Sequence, residues 1–194
     1  MINITSKDFY ESHYACPEGK RFALKHKTMA EVWAACPRAD WLIWILERTG
    51  HKLDLKTLRL FACWCVRETP IADGRKVWDL LTDERSRNAV IVSERFANGE
   101  ATEEERVAAR DAAESAAESA AEDAAEDAAE SAAAFAAGSA AEDAASFAAR
   151  DAAESAASAS EDAGKSEDAG ESESRAQAFQ ADRFRTLFKN PFQN

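Results

Sequence analysis

The sequence predicts an all-α protein, a compact helical bundle followed by a long alanine-rich acidic helical extension. Three observations carry that prediction. Helix caps recur through the first 107 residues while strand signals are almost absent. Of the 52 residues from 108 to 159, 28 are alanine, the best helix former. All five Trp and all four Cys lie in the first half, whereas the whole charge surplus of -12 lies in the second.

The elements follow in order. Phe9 to Leu24 reads as helical, with Pro17 and Gly19 blurring its boundaries. Thr28 and Glu31 form a capping box, in which hydroxyl and carboxylate each satisfy a backbone N–H, so a helix begins near Met29 and ends at Pro37. The next helix, Arg38 to Arg48, is nearly apolar all round through Trp41, Leu42, Trp44, Ile45 and Leu46, which places it centrally. Gly50 suits its left-handed cap. Asp54 caps a third helix, Leu55 to Glu68, closed by Pro70. Val77 to Leu81 supplies one or two further turns, and Thr82 is expected to cap a helix running to about Ala97, stopped by Asn98 and Gly99. Thr102 and Glu105 repeat the capping box at the start of the next element. The five Trp rings sit among aliphatic neighbours at helical spacing and are expected as core rather than as a pocket lining.

The order Thr28, Glu31, Trp33, Cys36, Pro37, Arg38, Asp40, Trp41, Leu42 and Trp44 resembles the central signature of a bacterial immunity-protein family, the immunity-five-like domain. Leu58, Leu60, Ala62, Cys63, Cys65, Arg67 and Pro70 resemble that family's second helix, and the resemblance spans residues 9 to 107. It implies a small helical domain of bacterial and phage genomes that neutralises a toxin or a defence component. No catalytic residue comes with it.

From Ala108 to Ala159 the chain divides without a frame break into thirteen tetrads that each open with two alanines. One unbroken helix of that length would extend about 78 Å, so folding back is expected, with Gly138 as the breaking point. Four residues advance about 400°, so the alanine pair drifts by about 40° per tetrad and returns after about nine. A heptad seam needs an average repeat of about 3.5 and is disfavoured. The plain fate of such a repeat is a solvated spacer. Its acids, however, climb the axis about 6 Å per tetrad, close to the phosphate spacing of a nucleic-acid strand. Glu114, Glu118, Glu122, Asp123, Glu126, Asp127 and Glu130 are therefore the candidate partner-binding residues, with DNA mimicry as a hypothesis. Residues 160 to 174 read as a flexible acidic linker, and 175 to 194 as a C-terminal amphipathic helix that docks back or pairs with another subunit.

These patterns bound the function. Residues 1 to 107 hold 17 basic and 17 acidic side chains, against 7 and 19 in the remainder, which opposes direct nucleic-acid binding and favours a basic protein partner such as a toxin, nuclease or defence protein. The longest apolar run, Trp41 to Leu46, is too short for a membrane span, and no signal peptide is visible, so a soluble cytoplasmic protein is expected. Cys16, Cys36, Cys63 and Cys65 are expected to be reduced gap-fillers, and no metal or other cofactor is expected. A phosphate-cradling loop, HExxH, GxSxG and a dinucleotide fingerprint are all missing, so catalysis is not expected. His13, His26 and His51 sit in polar surroundings, while Asp40 and Glu47 read as a helix-start carboxylate and a partner for Arg38 or Arg48. The alternative to a protein-binding inhibitor is a protein that sequesters a small nucleotide, with Arg38, Trp41, Arg48, Arg59 and Arg67 lining its pocket. Convergence of those guanidiniums on one cavity would support that alternative.

Overall fold

The computed structural model describes residues 4–50, 53–123, 128–141, 145–162 and 169–193. Among them the regular structure is helical: α1 (Ser6–Ser12), α2 (Pro17–Ala23), α3 (Met29–Ala35), α4 (Ala39–Arg48), α5 (Leu55–Glu68), α6 (Val77–Leu80), α7 (Glu84–Ala97), α8 (Glu103–Asp123), α9 (Ala128–Ala141), α10 (Ala145–Asp162) and α11 (Ala169–Leu187). The fold is all-α, as the sequence predicts.

Local chemistry sets most boundaries. Thr28 Oγ1 accepts from the Glu31 N–H at 3.3 Å, and Glu31 Oε2 accepts from the Lys27 and Thr28 N–H groups, so the capping box before α3 is complete. Thr102 and Glu105 do the same before α8. Asp54 caps α5 through the Lys56 N–H. Two expectations shift. Asp83 rather than Thr82 caps α7, accepting from the Arg85 N–H at 2.8 Å, since the carboxylate lies one residue nearer the first turn. The single helix expected over Phe9 to Leu24 is two, because Cys16 and Pro17 start a new helix, with the Cys16 sulfur accepting from the Gly19 N–H.

Packing departs further from expectation in the second half. Gly138 does not break the repeat; it lies buried inside α9, at a propensity cost of about 1 kcal/mol relative to alanine. Part of the expected linker over 160 to 174 is helical instead: α10 runs through Asp162 and α11 begins at Ala169, while 163 to 168 lie outside the described residues. Nor is the repeat a solvated spacer. Ala133, Ala136, Ala137 and Ala140 of α9, and Ala148, Ala149, Ala152, Ala153 and Ala156 of α10, are all buried. They belong to one core with Leu42 and Ile45 of α4, Phe61 and Val66 of α5 and Val90 of α7. Division into α8, α9 and α10 explains how a drifting pattern can do this. Across the 14 residues of α9 the alanine pair turns by only about 140°, so each shorter helix keeps one small-residue face. Such a face lets backbones approach closely: Ser93 Oγ reaches the Ala140 carbonyl at 2.9 Å, and Ser172 Oγ the Ala156 carbonyl at 3.1 Å.

Helix α11 docks back on this core. Phe184 is fully buried, its ring 5.1 Å from Phe61, 6.1 Å from Trp33 and 4.5 Å from Phe188. The buried Gln180 amide donates to Thr69 Oγ1 at 2.9 Å. Arg185 donates to the Trp33 and Cys36 carbonyls, satisfying groups left open at the end of α3. Docking is therefore what the amphipathic pattern of the tail produces.

One carboxylate in this packing gives a pH prediction. Asp151 of α10 accepts from Ser139 Oγ of α9 at 3.1 Å, and burial raises its pKa above the ordinary Asp value of 3.8, against the opposing pull of Ser139 and Arg150. A folded-state pKa above the unfolded one favours the protonated form, so the stabilising contribution is complete below the unfolded value and is lost as pH rises through the folded one. Asp151→Asn keeps an acceptor for Ser139 and should raise Tm at about pH 7, with the gain shrinking as pH falls toward about 4. Thermal melts across that range check the sign.

Candidate functional site: an acidic surface and an aromatic cavity

The acidic surface follows from the buried alanines. With alanines of the described tetrads turned inward, Glu114 and Glu118 of α8 and Glu154 of α10 are exposed, beside buried Ala113, Ala117 and Ala153. Glu114 lies 3.6 Å from the Arg110 guanidinium and Glu154 lies 3.5 Å from that of Arg150. These are long, solvent-screened pairs between groups four residues apart, and they leave the carboxylates open to water. Of the other predicted residues, Glu122 and Asp123 belong to the α8 backbone and Glu130 to α9, but their side chains lie outside the described residues. Glu126 and Asp127 lie outside them altogether.

The arginines of the alternative reading do not converge. Arg38 and Trp41 line a cavity of about 500 Å³. Arg48 stands beside it, with its guanidinium over the Trp44 ring at 5.4 Å. Arg59 is buried elsewhere, over Phe96 at 4.5 Å, a ring that Arg106 also approaches. Arg67 lines a separate hollow of about 300 Å³, where it is bidentate to Glu94 at 2.6 and 2.8 Å. The nucleotide pocket is therefore corrected to two cavity residues, Arg38 and Trp41. Residues 59 and 67 sit on α5, and that helix places them toward α7.

The 500 Å³ cavity is built by α1, α2, α4 and α10. On α4, Leu42, Ile45 and Leu46 face the core, so Trp41, Trp44 and Glu47, three residues apart in turn, share the opposite stripe and form one wall. Gly19 of α2 lies flush against this wall: a Cβ there would meet Cys16 Sγ at 3.2 Å and Trp41 at 3.8 Å. Tyr10 lines the cavity too, and burial pushes its phenol pKa up. The facing wall is Phe147 and Arg150, one turn apart on α10, with the Arg150 guanidinium 5.1 Å from the Phe147 ring. The expectation that all five Trp are core thus holds for Trp33, which is buried, but Trp41 and Trp44 line this cavity and Trp64 lines the smaller hollow. A helix apolar all round needs only part of its circumference covered, and its widest side chains end at the rim.

Charges in the cavity are arranged unevenly. Arg38 is bidentate to Asp40 at 3.0 and 2.7 Å and lies over Trp41 at 4.7 Å. The Glu18 carboxylate is 3.8 Å from Arg38, and that of Glu47 is 3.7 Å from Arg48, both beyond hydrogen-bond distance. Asp40 and Glu47 thus take the roles foreseen for them beside Arg38 and Arg48. Sequence reasoning reads Phe135 and Phe147 as anchors of separate contacts but places neither Phe147 nor Arg150 at this cavity. The available signal was the substitution of Phe for the acid or Ser that closes most tetrads, at 147 and also at 135, both rings being about half exposed.

Cys36, Cys63 and Cys65 are buried and Cys16 is exposed, all of them free thiols. Burial pushes the Cys36 thiol up to about 11 and that of Cys63 up to about 12, which keeps both in the protonated form expected of gap-fillers. Among the described residues no three His, Cys, Asp or Glu side chains gather to hold a metal ion, and no helix is long and apolar enough to cross a membrane. Among the described residues, fold and site together define an all-α protein with outward-facing glutamates on its alanine-rich helices and an aromatic cavity beside α4. Comparison with protein families, curated proteins and solved structures returns no match.

Proposed function

We propose that the chain is a non-catalytic binding protein that engages a basic protein partner through the acidic faces of its alanine-rich helices, as an immunity or counter-defence inhibitor. The observation that carries this reading is the burial of the alanines, which turns Glu114, Glu118 and Glu154 to solvent on helices fixed to the core. Carboxylates on an anchored helix keep their spacing, and a fixed array of like charges attracts a complementary basic surface at lower entropic cost than a mobile one. The inhibitor role draws on the resemblance of residues 9 to 107 to the immunity family, and the partner class on the segregated charge. DNA mimicry is a special case of this reading, in which the basic surface is one that normally grips phosphates.

Deleting the repeat would not test the idea, because the repeat forms part of the core. The suitable variant is Glu114→Gln, Glu118→Gln and Glu154→Gln in one chain, which keeps shape and removes charge. Capture from the source cell should recover a basic protein at about 50 mM salt, lose most of it at about 500 mM, and recover little with the triple variant. A partner held equally under all three conditions would overturn the reading.

A further inference from the structure

The geometry points to the cavity between α4 and α10 as a binding site for a small, flat aromatic cation. This goes beyond the acidic-surface reading and does not depend on it. A volume of about 500 Å³ falls within the usual range for small-molecule sites. Its walls are Trp41 and Trp44 on one side and Phe147 on the other, and aromatic faces attract both flat rings and cations. These rings already accept guanidiniums: Arg38 lies over Trp41, Arg48 over Trp44 and Arg150 over Phe147.

Charge decides the sign of the ligand. Three carboxylates, Glu18, Asp40 and Glu47, line the cavity against two guanidiniums, Arg38 and Arg150. Arg38 is committed to Asp40 through two hydrogen bonds, and Arg150 is engaged by Asp151 and Glu154 of its own helix. Among the described residues the Glu18 and Glu47 carboxylates stand 3.8 and 3.7 Å from arginine, beyond hydrogen-bond distance, so their negative charge remains open to a cation at the mouth. An anion such as a nucleotide would meet these carboxylates and the field of a chain carrying -12, whereas a cation is drawn in by both.

The probe for the test is N-methylquinolinium, with quinoline as its neutral counterpart and adenosine monophosphate as the anionic arm, read by tryptophan fluorescence and by calorimetry on the full chain. Saturable quenching by the cation at concentrations up to about 1 mM is expected, with quinoline weaker by about fivefold and adenosine monophosphate weaker still. Combined Glu18→Gln and Glu47→Gln should weaken the cation about tenfold, and Phe147→Ala about fivefold, without altering the circular dichroism spectrum. All three positions are exposed, so the variants should fold. Glu114→Gln should leave affinity unchanged. The assignment is overturned by absence of saturable cation binding, by tighter binding of adenosine monophosphate, or by affinity that the Glu18 and Glu47 variant leaves intact.

Discussion

Phe184→Ala should cost about 3–5 kcal/mol, the usual loss for emptying a fully buried aromatic site. Phe184 touches Phe61 of α5, Trp33 of α3 and Phe188 of its own helix, so its removal opens a gap where three elements meet. The loss should also be local in character. Gln180 and Arg185, which tie α11 to Thr69 and to the end of α3, depend on the same docking. Urea unfolding measures the global cost, and amide exchange shows whether α11 loses protection before α5 does. A loss below about 1 kcal/mol would mean that α11 is not seated on the core.

A second large effect lies in the alanine helices, where two substitutions should move stability in opposite directions. Ala152→Leu adds three carbons to a fully buried position of α10 and should destabilise by about 1–3 kcal/mol through overpacking. Gly138→Ala, in the same assembly, should stabilise by about 0.5–1 kcal/mol, because a Cβ there meets nothing within 4 Å and the helical backbone suits alanine better. If the repeat were a solvated spacer, Leu at 152 would be nearly neutral. The sign and size of the pair, from denaturant titrations, therefore separate a core role from a spacer role.

What the sequence disclosed was chiefly local. The capping boxes at Thr28 and Thr102, the Asp54 cap and the glycine stops at 50 and 99 are decided by residues within a few positions, and all five mark observed helix ends. Gly138 misled for the same reason: its propensity is a local cost, whereas the packing of α9 against α7 and within the shared core is long-range. The 40° drift was legible, but its consequence depended on where the helices end. The cavity was half legible. Arg38 and Trp41 stood out on α4, while Phe147 and Arg150 come from a helix about a hundred residues later, and no spacing rule links the two.

The tetrad geometry also bears on how such a protein can change length. Adding or losing one four-residue unit within α9 or α10 moves the following part of the helix about 6 Å along its axis and turns it by about 40°, and it always replaces an alanine pair with another alanine pair. A leucine-lined interface would lose its knobs and holes under that shift. A methyl-lined one re-registers with little change in shape, so gain or loss of units is a route by which related chains could lengthen their charged flank while the tryptophan-bearing half stays as it is.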